Sequence, residues 1–103
     1  VSHLPHLIAF GLADAVPENA LQYAAEGFKD TTRVASSDPA LWADIFLTNK
    51  KELSKAAAIF RKCLGDIVTA VERNDTDRVI SLLAQAKLKR DIFLKTIYGN
   101  KKK

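Results

Sequence analysis

The sequence contains one cysteine, no methionine, four glycines and three prolines among its 103 residues. One cysteine cannot form an internal disulfide, and a zinc site built on cysteines needs more thiolates. The scarcity of glycine and proline argues against an all-β chain with many turns. The sequence has no long apolar run of the length that a membrane-spanning helix needs. These absences favour a helical protein of the cytoplasm that does not enter a membrane.

Most of the net charge of +4 lies at the C-terminus, where Lys101, Lys102 and Lys103 follow one another. Without these three lysines, 16 − 3 = 13 basic residues remain against 12 acidic ones, which leaves a net charge of +1. A short basic tail is not a nucleic-acid-binding face, and we expect no nucleic-acid partner. The alternative, binding of nucleic acid through the tail, predicts a steep salt dependence that disappears when the tail is deleted.

The composition and the length suit one folded domain over residues 1–103, because 48% of the residues are apolar and 27% are charged. The N-terminal sequence has neither an initiator methionine nor the basic region of a signal peptide. We therefore expect the chain to be a piece of a longer protein.

Residues 4–16 are apolar on nearly all sides of a helix, a pattern typical of a buried helix. Ser2 is the predicted N-cap, and Pro5 falls in the first turn, where its missing N–H costs little. A domain of this size buries only about 60–68% of the surface of its unfolded chain, so it cannot cover such a helix on every side. The pattern therefore predicts a second copy of the chain in a homodimer.

Three shorter helices are predicted after this segment. Residues 18–25 form one, with Leu21, Ala24 and Ala25 facing inward, and residues 28–35 form another, which ends in a turn. Asp38 is the predicted N-cap of the third, because Pro39 follows it and suits the first helical position.

Two long helices are predicted in the second half of the chain. Apolar residues follow a heptad spacing along the first of them, at Leu53, Ala57, Phe60, Leu64, Ile67 and Val71. Residues 74–75 form a predicted turn and helix cap, and Gly99 and Asn100 are a predicted stop signal for the last helix. The expectation is an all-α fold of five or six helices, of which the two long ones are antiparallel.

Two pairs of polar residues have helical spacing. His3 and His6 share one face of the first helix, but a metal site needs a third ligand that the chain does not offer, so we expect no metal. Asp30 and Arg33 would form an exposed ion pair on a helix, worth about 0–1 kcal/mol. The alternative is an arginine that is oriented by the carboxylate and binds a substrate carboxylate with both arms.

The remaining candidates have structural interpretations. Trp42 is interpreted as a packing residue, Cys63 as an inert core thiol and Lys29 as a solvated charge. The sequence lacks the glycine-rich motifs that bind dinucleotides or phosphates and the motifs of serine hydrolases and zinc proteases. The chain by itself is therefore not expected to be a complete enzyme.

Two motifs resemble the C-terminal helical domain of the prephenate dehydrogenase family, which includes arogenate and cyclohexadienyl dehydrogenases. The first is residues 2–6 (SHLPH), at the start of the apolar helix, and the second is residues 27–39 (GFKDTTRVASSDP), which continue to residues 42–46 (WADIF). The resemblance implies an intertwined homodimer of helical domains. It also implies NAD or NADP bound by an N-terminal dinucleotide-binding domain that is absent from this chain. The implied reaction is the oxidative decarboxylation of prephenate to 4-hydroxyphenylpyruvate in tyrosine biosynthesis.

By position, the resemblance also implies roles for five residues of this sequence. Arg33 would bind a carboxylate of prephenate, and Asp30 would orient Arg33. His6 would form part of the pocket wall and contact the substrate, or tyrosine as a feedback inhibitor. His3 would support this part of the wall. Trp42 would lie near the dimer interface and complete the pocket of the neighbouring subunit.

Three alternatives remain open at this point. The substrate is prephenate or arogenate, and the cofactor is NAD or NADP. In the third alternative the chain is a non-catalytic helical dimerisation module, in which the histidines and Arg33 are structural only.

Overall fold

The computed structural model describes residues 3–23 and 26–101, and every element within these ranges is helical. The contacts divide the chain into two units, Val1–Phe60 and Arg61–Lys103. The elements are three short α-helices, two 3₁₀ helices (η1 and η2) and two long α-helices, in the order α1 (Leu4–Ala15), η1 (Glu18–Tyr23), α2 (Glu26–Thr31), η2 (Arg33–Ser36), α3 (Pro39–Thr48), α4 (Lys50–Glu72) and α5 (Thr76–Lys101). The predicted all-α class is confirmed.

Helix α1 agrees with its prediction to within one residue. It has Pro5 in its first turn and ends at Ala15, where Val16 becomes extended ahead of Pro17. The N-cap position is His3, whose side chain makes no capping hydrogen bond. The predicted cap, Ser2, lies outside the described residues.

The apolar surface of α1 is covered only in part by the rest of the chain. Ala9 is the buried residue of this helix, at 1% exposure, whereas Leu7, Ile8 and Phe10 are only half-buried. The chain therefore covers only part of the apolar surface of α1. This incomplete burial was the reason for expecting a second copy of the chain.

The short helix predicted over residues 18–25 is present over Glu18–Tyr23, as a 3₁₀ helix. The N–H of Ala20 donates to the carbonyl of Pro17 at 2.9 Å, a bond with the i to i+3 spacing of a 3₁₀ turn. Short connectors between helices commonly take this form. The prediction that three side chains face inward concerns Leu21, Ala24 and Ala25, which are outside the set of side chains that the structure describes.

The single helix predicted over residues 28–35 is divided in two at Thr32. The Thr32 hydroxyl donates to the carbonyl of Phe28 at 2.7 Å, and the Ser37 hydroxyl donates to the carbonyl of Val34 at 2.6 Å. Hydroxyl groups that bond to nearby carbonyls compete with the helical hydrogen bonds of the backbone. The result is a short α2 and a separate η2, which lies against α1.

The predicted start of α3 is confirmed in detail. The N–H of Ala40 donates to Asp38 Oδ1 at 3.0 Å, and Pro39 occupies the first turn. Helix α3 ends at Thr48, and the N–H of Asn49 donates to the carbonyl of Phe46 at 3.2 Å. Helix α4 starts at the next residue, so these two helices share a very short connection.

The turn between α4 and α5 is also where the sequence predicts it. Asn74 has a φ of 53°, and the N–H of Asp75 donates to the carbonyl of Ala70 while the N–H of Asn74 donates to that of Val71. This pair of bonds is a Schellman motif, which satisfies the last carbonyls of α4. Asp75 then caps α5, because its Oδ1 accepts the N–H of Arg78 at 3.1 Å.

Helix α5 continues through the predicted stop signal. It includes Gly99 and reaches Lys101, so the prediction that Gly99 and Asn100 end the helix is wrong. A glycine ends a helix by adopting a left-handed conformation, and no described glycine has a positive φ. No helix in the described part of the chain is long and apolar enough to span a bilayer.

Candidate functional site

An aromatic cluster joins α1 to α3 within the first unit. The His6 ring stacks on the Trp42 ring, with 3.5 Å between centroids and 11° between planes. Phe10 meets Phe46 edge to face at 6.2 Å and 88°. His6 and Phe10 are four residues apart on α1, as are Trp42 and Phe46 on α3, so each helix presents both of its rings on one face.

Trp42 is the centre of this cluster. Besides His6, it contacts the ring of His3 edge to face, at 5.9 Å and 71°, and the ring of Phe46 at 5.7 Å and 56°. Three of the predicted site residues therefore meet in one place. The interpretation of Trp42 as a packing residue agrees with these contacts, and the contacts also make it the wall against which both histidines lie.

The two ring nitrogens of His6 differ in their surroundings. Nδ1 is buried and has no hydrogen-bond partner. Among the described residues, no other buried side-chain nitrogen or oxygen lacks a partner. The His6 residue as a whole is half-buried, and its Nε2 is not among the buried atoms without a partner. The open nitrogen of His6 is therefore the one available to a ligand.

Arg33 and Asp30 lie in separate elements, at the start of η2 and near the end of α2. Both residues are exposed, and no ion pair joins them in the described part of the chain. Lys29 pairs instead with Glu26 at 3.8 Å, and its side chain is 76% exposed, as expected for a solvated charge. Because η2 lies against α1, the backbone of Arg33 is held beside the helix that carries His6.

An open apolar groove of about 200 Å³ runs along the aromatic cluster, lined by Phe10, Pro39, Trp42, Ala43 and Phe46. Phe10 was not predicted as a site residue, although its spacing of four residues from His6 placed both on one face of α1. The groove places an apolar surface next to the stacked imidazole. A flat ring with polar substituents suits this combination of surfaces.

A second groove, of about 350 Å³, lies between α4 and α5 in the second unit, and its residues include Cys63, Ile67, Leu82 and Ala86. The groove has Cys63 and Ile67 on the α4 side and Leu82 and Ala86 on the α5 side, well beyond the connecting turn, so the two helices are antiparallel, as predicted. Cys63 is exposed, and its interpretation as a core thiol is wrong. It lies on the wall of a groove that the chain itself leaves open.

Two features typical of metal and phosphate sites are absent from the described residues. They contain no group of three or more His, Cys, Asp or Glu residues that could hold a metal ion. All four glycines lie inside helices, and none has a positive φ, so none forms a phosphate-binding loop.

Comparison with solved structures gives a match to prephenate dehydrogenase from A. aeolicus in complex with hydroxyphenyl propionate and NAD+. The TM-score is 0.79 and the identity is 40%, over 90% of this chain and 35% of that one. An identity of this size supports relatedness and not the fold alone.

The curated relatives are a prephenate dehydrogenase and a cyclohexadienyl dehydrogenase. Prephenate dehydrogenase of Bacillus subtilis is 36% identical over 88% of this chain, and cyclohexadienyl dehydrogenase of Zymomonas mobilis is 35% identical over 92% of it. The chain spans 26% and 34% of the lengths of these two relatives. The family described as "Prephenate dehydrogenase, dimerization domain" matches residues 1–85, which include every residue of the aromatic cluster as well as Asp30 and Arg33. The chain belongs to the family of prephenate dehydrogenase dimerization domains.

Proposed function

We propose that this chain is the C-terminal helical domain of an NAD(P)-dependent prephenate dehydrogenase. It mediates dimerisation and forms part of the prephenate pocket in an enzyme that makes 4-hydroxyphenylpyruvate for tyrosine biosynthesis in the cytoplasm. The observation that carries this proposal is the stacked His6–Trp42 pair, in the same structural unit as Arg33 and inside the family match. Residues 1–103 act as one dimerisation and substrate-binding domain.

The cofactor and the catalytic groups belong to other parts of the complete enzyme in this proposal. The chain spans 26–35% of the matched proteins, and none of its described glycines has the positive φ that is common in phosphate-binding loops. NAD or NADP, bound in a separate dinucleotide-binding domain, supplies a hydride acceptor. This chain alone is therefore inactive, and its contribution is to hold the substrate.

Arg33 binds a carboxylate of the substrate. Its guanidinium is exposed and has no ion-pair partner among the described side chains, so the planar fork is available for a bidentate contact. Asp30 precedes it by three residues and orients the guanidinium once the substrate is bound. The fixed charge of arginine suits prephenate, which carries two carboxylates.

His6, His3 and Trp42 form the other wall of the pocket. His6 contacts the substrate through its open nitrogen, and tyrosine as a feedback inhibitor makes the same contact. His3 supports this wall through its edge-to-face contact with Trp42. Trp42 also borders the apolar groove, which gives the ring of the substrate a surface and lies near the dimer interface.

The proposed contribution to the rate is positional. Hydride transfer and loss of carbon dioxide both require the substrate ring to keep a fixed relation to the nicotinamide. Residues held by helix packing give that relation at a smaller entropic cost than residues on mobile loops. The α1–α3 contact therefore serves the chemistry without supplying a reacting group.

The apolar surface of this chain supports a homodimer. Helix α5 exposes four large apolar residues at 55–60%, namely Ile80, Leu88, Ile92 and Phe93. At 3.6 residues per turn, Phe93 lies on roughly the opposite side of the helix from Ile80. A helix that is apolar on several sides is normally buried, so a second copy packs around α5 and α1 in an intertwined dimer.

A second candidate substrate is arogenate, in which an amino acid group replaces the keto acid of prephenate. The observation that favours it is the match to cyclohexadienyl dehydrogenase at 35% identity, since both compounds are cyclohexadienes. The ratio of kcat/KM for the two substrates on the complete enzyme distinguishes these readings. A helical dimerisation module without a pocket would leave both values unaffected by substitution at Arg33.

The test of the proposed function is Arg33→Ala in the complete dehydrogenase that contains this domain. The KM for prephenate is expected to rise at least tenfold, which corresponds to about 1.4 kcal/mol, because a carboxylate contact is lost. Arg33→Lys should recover only part of this loss, since an ammonium group cannot make the bidentate contact. Steady-state kinetics at saturating cofactor measures these effects.

Lys29→Ala is the matched control, because it removes a neighbouring exposed cation of the same segment. Its KM should equal that of the wild-type enzyme. If Arg33→Ala and Lys29→Ala have the same KM as the wild type, Arg33 does not bind the substrate and the proposed pocket is wrong.

A further inference from the structure

The geometry points to a defined hydrogen-bond role for His6. Its Nε2–H donates to an oxygen atom of the bound substrate, and Trp42 is the positioning residue that holds the imidazole ring. This inference rests on the proposed function and deepens it, because it names the donating atom and the residue that orients it.

The assignment of the proton begins at Nδ1, which is buried and has no hydrogen-bond partner. A neutral imidazole carries one N–H, and its other nitrogen accepts a hydrogen bond. A buried N–H without an acceptor loses its hydration with no compensation, and such orphaned donors are rarer in proteins than under-satisfied acceptors. The proton of the neutral ring therefore lies on Nε2, and Nδ1 carries the lone pair.

The orientation of the ring depends on packing. Where a histidine works on a ligand, a hydrogen bond to its second nitrogen commonly fixes the ring. His6 has no such bond at Nδ1, and its plane is set by the stack on Trp42 at 3.5 Å and 11°. Trp42 is held in turn by the rings of Phe46 and His3. The direction of the Nε2–H bond is therefore determined by the contact between α1 and α3.

The donor geometry identifies the complementary group on the ligand. A nitrogen that carries a proton needs an oxygen acceptor, and prephenate offers carboxylate, carbonyl and hydroxyl oxygens. The ligand group is therefore an acceptor, and a ligand with an N–H or ammonium group at this point would be rejected because two donors would face each other.

Two substitutions of His6 separate the donor atom from the mere presence of a polar side chain. The amide nitrogen of glutamine lies close to the position of histidine Nε2, whereas the shorter asparagine places its amide near Nδ1. In the complete dehydrogenase, His6→Gln should keep the KM for prephenate within about threefold of the wild type, and His6→Asn should raise it at least about tenfold. Circular dichroism at the assay temperature checks that both variants are folded.

Trp42→Phe tests the positioning role, because it keeps an apolar ring but reduces the stacking surface. The KM should rise about three- to tenfold while kcat changes less. Adding Trp42→Phe to His6→Asn, which already lacks the contact, should raise the KM little further, since the two substitutions act on one contact. An additive effect in the double variant would show that Trp42 does not act through His6.

A spectroscopic measurement tests the tautomer independently of activity. In this chain labelled with ¹⁵N-histidine, at alkaline pH where histidine is neutral, Nε2 of His6 should have the chemical shift of a protonated nitrogen and Nδ1 that of a bare one. The opposite pattern would overturn the assignment, whatever the kinetics show.

The kinetic outcomes separate this inference from the function on which it rests. If His6→Gln and His6→Asn raise the KM equally, the contact exists but its donor atom is wrongly assigned. If neither substitution changes the KM, His6 does not touch the substrate, and the proposed contact fails together with the inference.

Discussion

Single side chains decide where the helices of this chain begin and end. Asp38 could be predicted as a cap because aspartate is a favoured N-cap residue and the following proline suits the first helical position, and the bond from Ala40 confirms it. Thr32 could not be predicted as a break, because its hydroxyl has several carbonyls within reach. The choice of Phe28 as acceptor depends on local geometry that composition does not contain.

Asp38→Ala should lower the free energy of unfolding by about 1 kcal/mol, because α3 loses the acceptor for a first-turn N–H. Urea denaturation at a fixed protomer concentration measures the difference. Asp44→Ala is the control, since this exposed carboxylate lies on the same helix and makes no described hydrogen bond or ion pair. Equal effects of the two substitutions would show that the cap does not stabilise α3.

For the candidate site, the sequence could predict the residues but not their contacts. Arg33, Asp30, His3, His6 and Trp42 were chosen from two sequence motifs, but the motifs contain no information about which ring stacks on which. The His6–Trp42 stack joins residues far apart in the chain. It exists because α1 and α3 each present two rings at the spacing of one helical turn, and only packing brings those faces together.

At the scale of the element, α5 shows how a stop signal fails. Gly99 was predicted to end the helix, yet it lies inside α5 with no left-handed φ. Glycine ends a helix only when the following backbone finds hydrogen bonds that replace the helical ones, as Asn74 does after α4. No Schellman bonds are seen around Gly99 in the described residues, so the helix continues.

Gly99→Ala should raise the helix content and should stabilise the fold by a few tenths to about 1 kcal/mol, because alanine has the higher helix propensity. An added methyl group at this position meets no atom within 4 Å. Far-ultraviolet circular dichroism and thermal unfolding measure the change. A loss of stability would indicate that Gly99 adopts the left-handed stop conformation in solution.

At the scale of the whole molecule, the amount of exposed apolar surface is the dominant feature. Only Ala9 and Ala70 are buried apolar residues among those described, whereas large side chains such as Leu83, Leu88 and Phe93 are more than half exposed. A soluble monomer rarely exposes this much apolar surface in one region. The homodimer that we propose accounts for the exposure by burying these side chains against a second copy.

Leu88→Glu should shift the chain from dimer to monomer, because a charge would have to be buried at the subunit interface. Sedimentation velocity over a range of micromolar concentrations follows the dissociation, which should occur at concentrations at least tenfold higher than for the wild type. Ser54→Glu adds the same charge at an exposed polar position of α4 and should leave the dimer intact. A wild-type chain that stays monomeric at all these concentrations would contradict the proposed homodimer.

The sequence by itself determined the helical class, the caps at Asp38 and Asp75, the turn at Asn74 and the apolar excess of α1, because each follows from interactions within a few residues. Only the tertiary structure decided that Cys63 lies on an open groove, that η2 rests on α1, and that His6 stacks on Trp42 with a buried Nδ1. These features join segments that are distant in the chain. They depend on which faces of the helices pack together, and local propensity does not encode that choice.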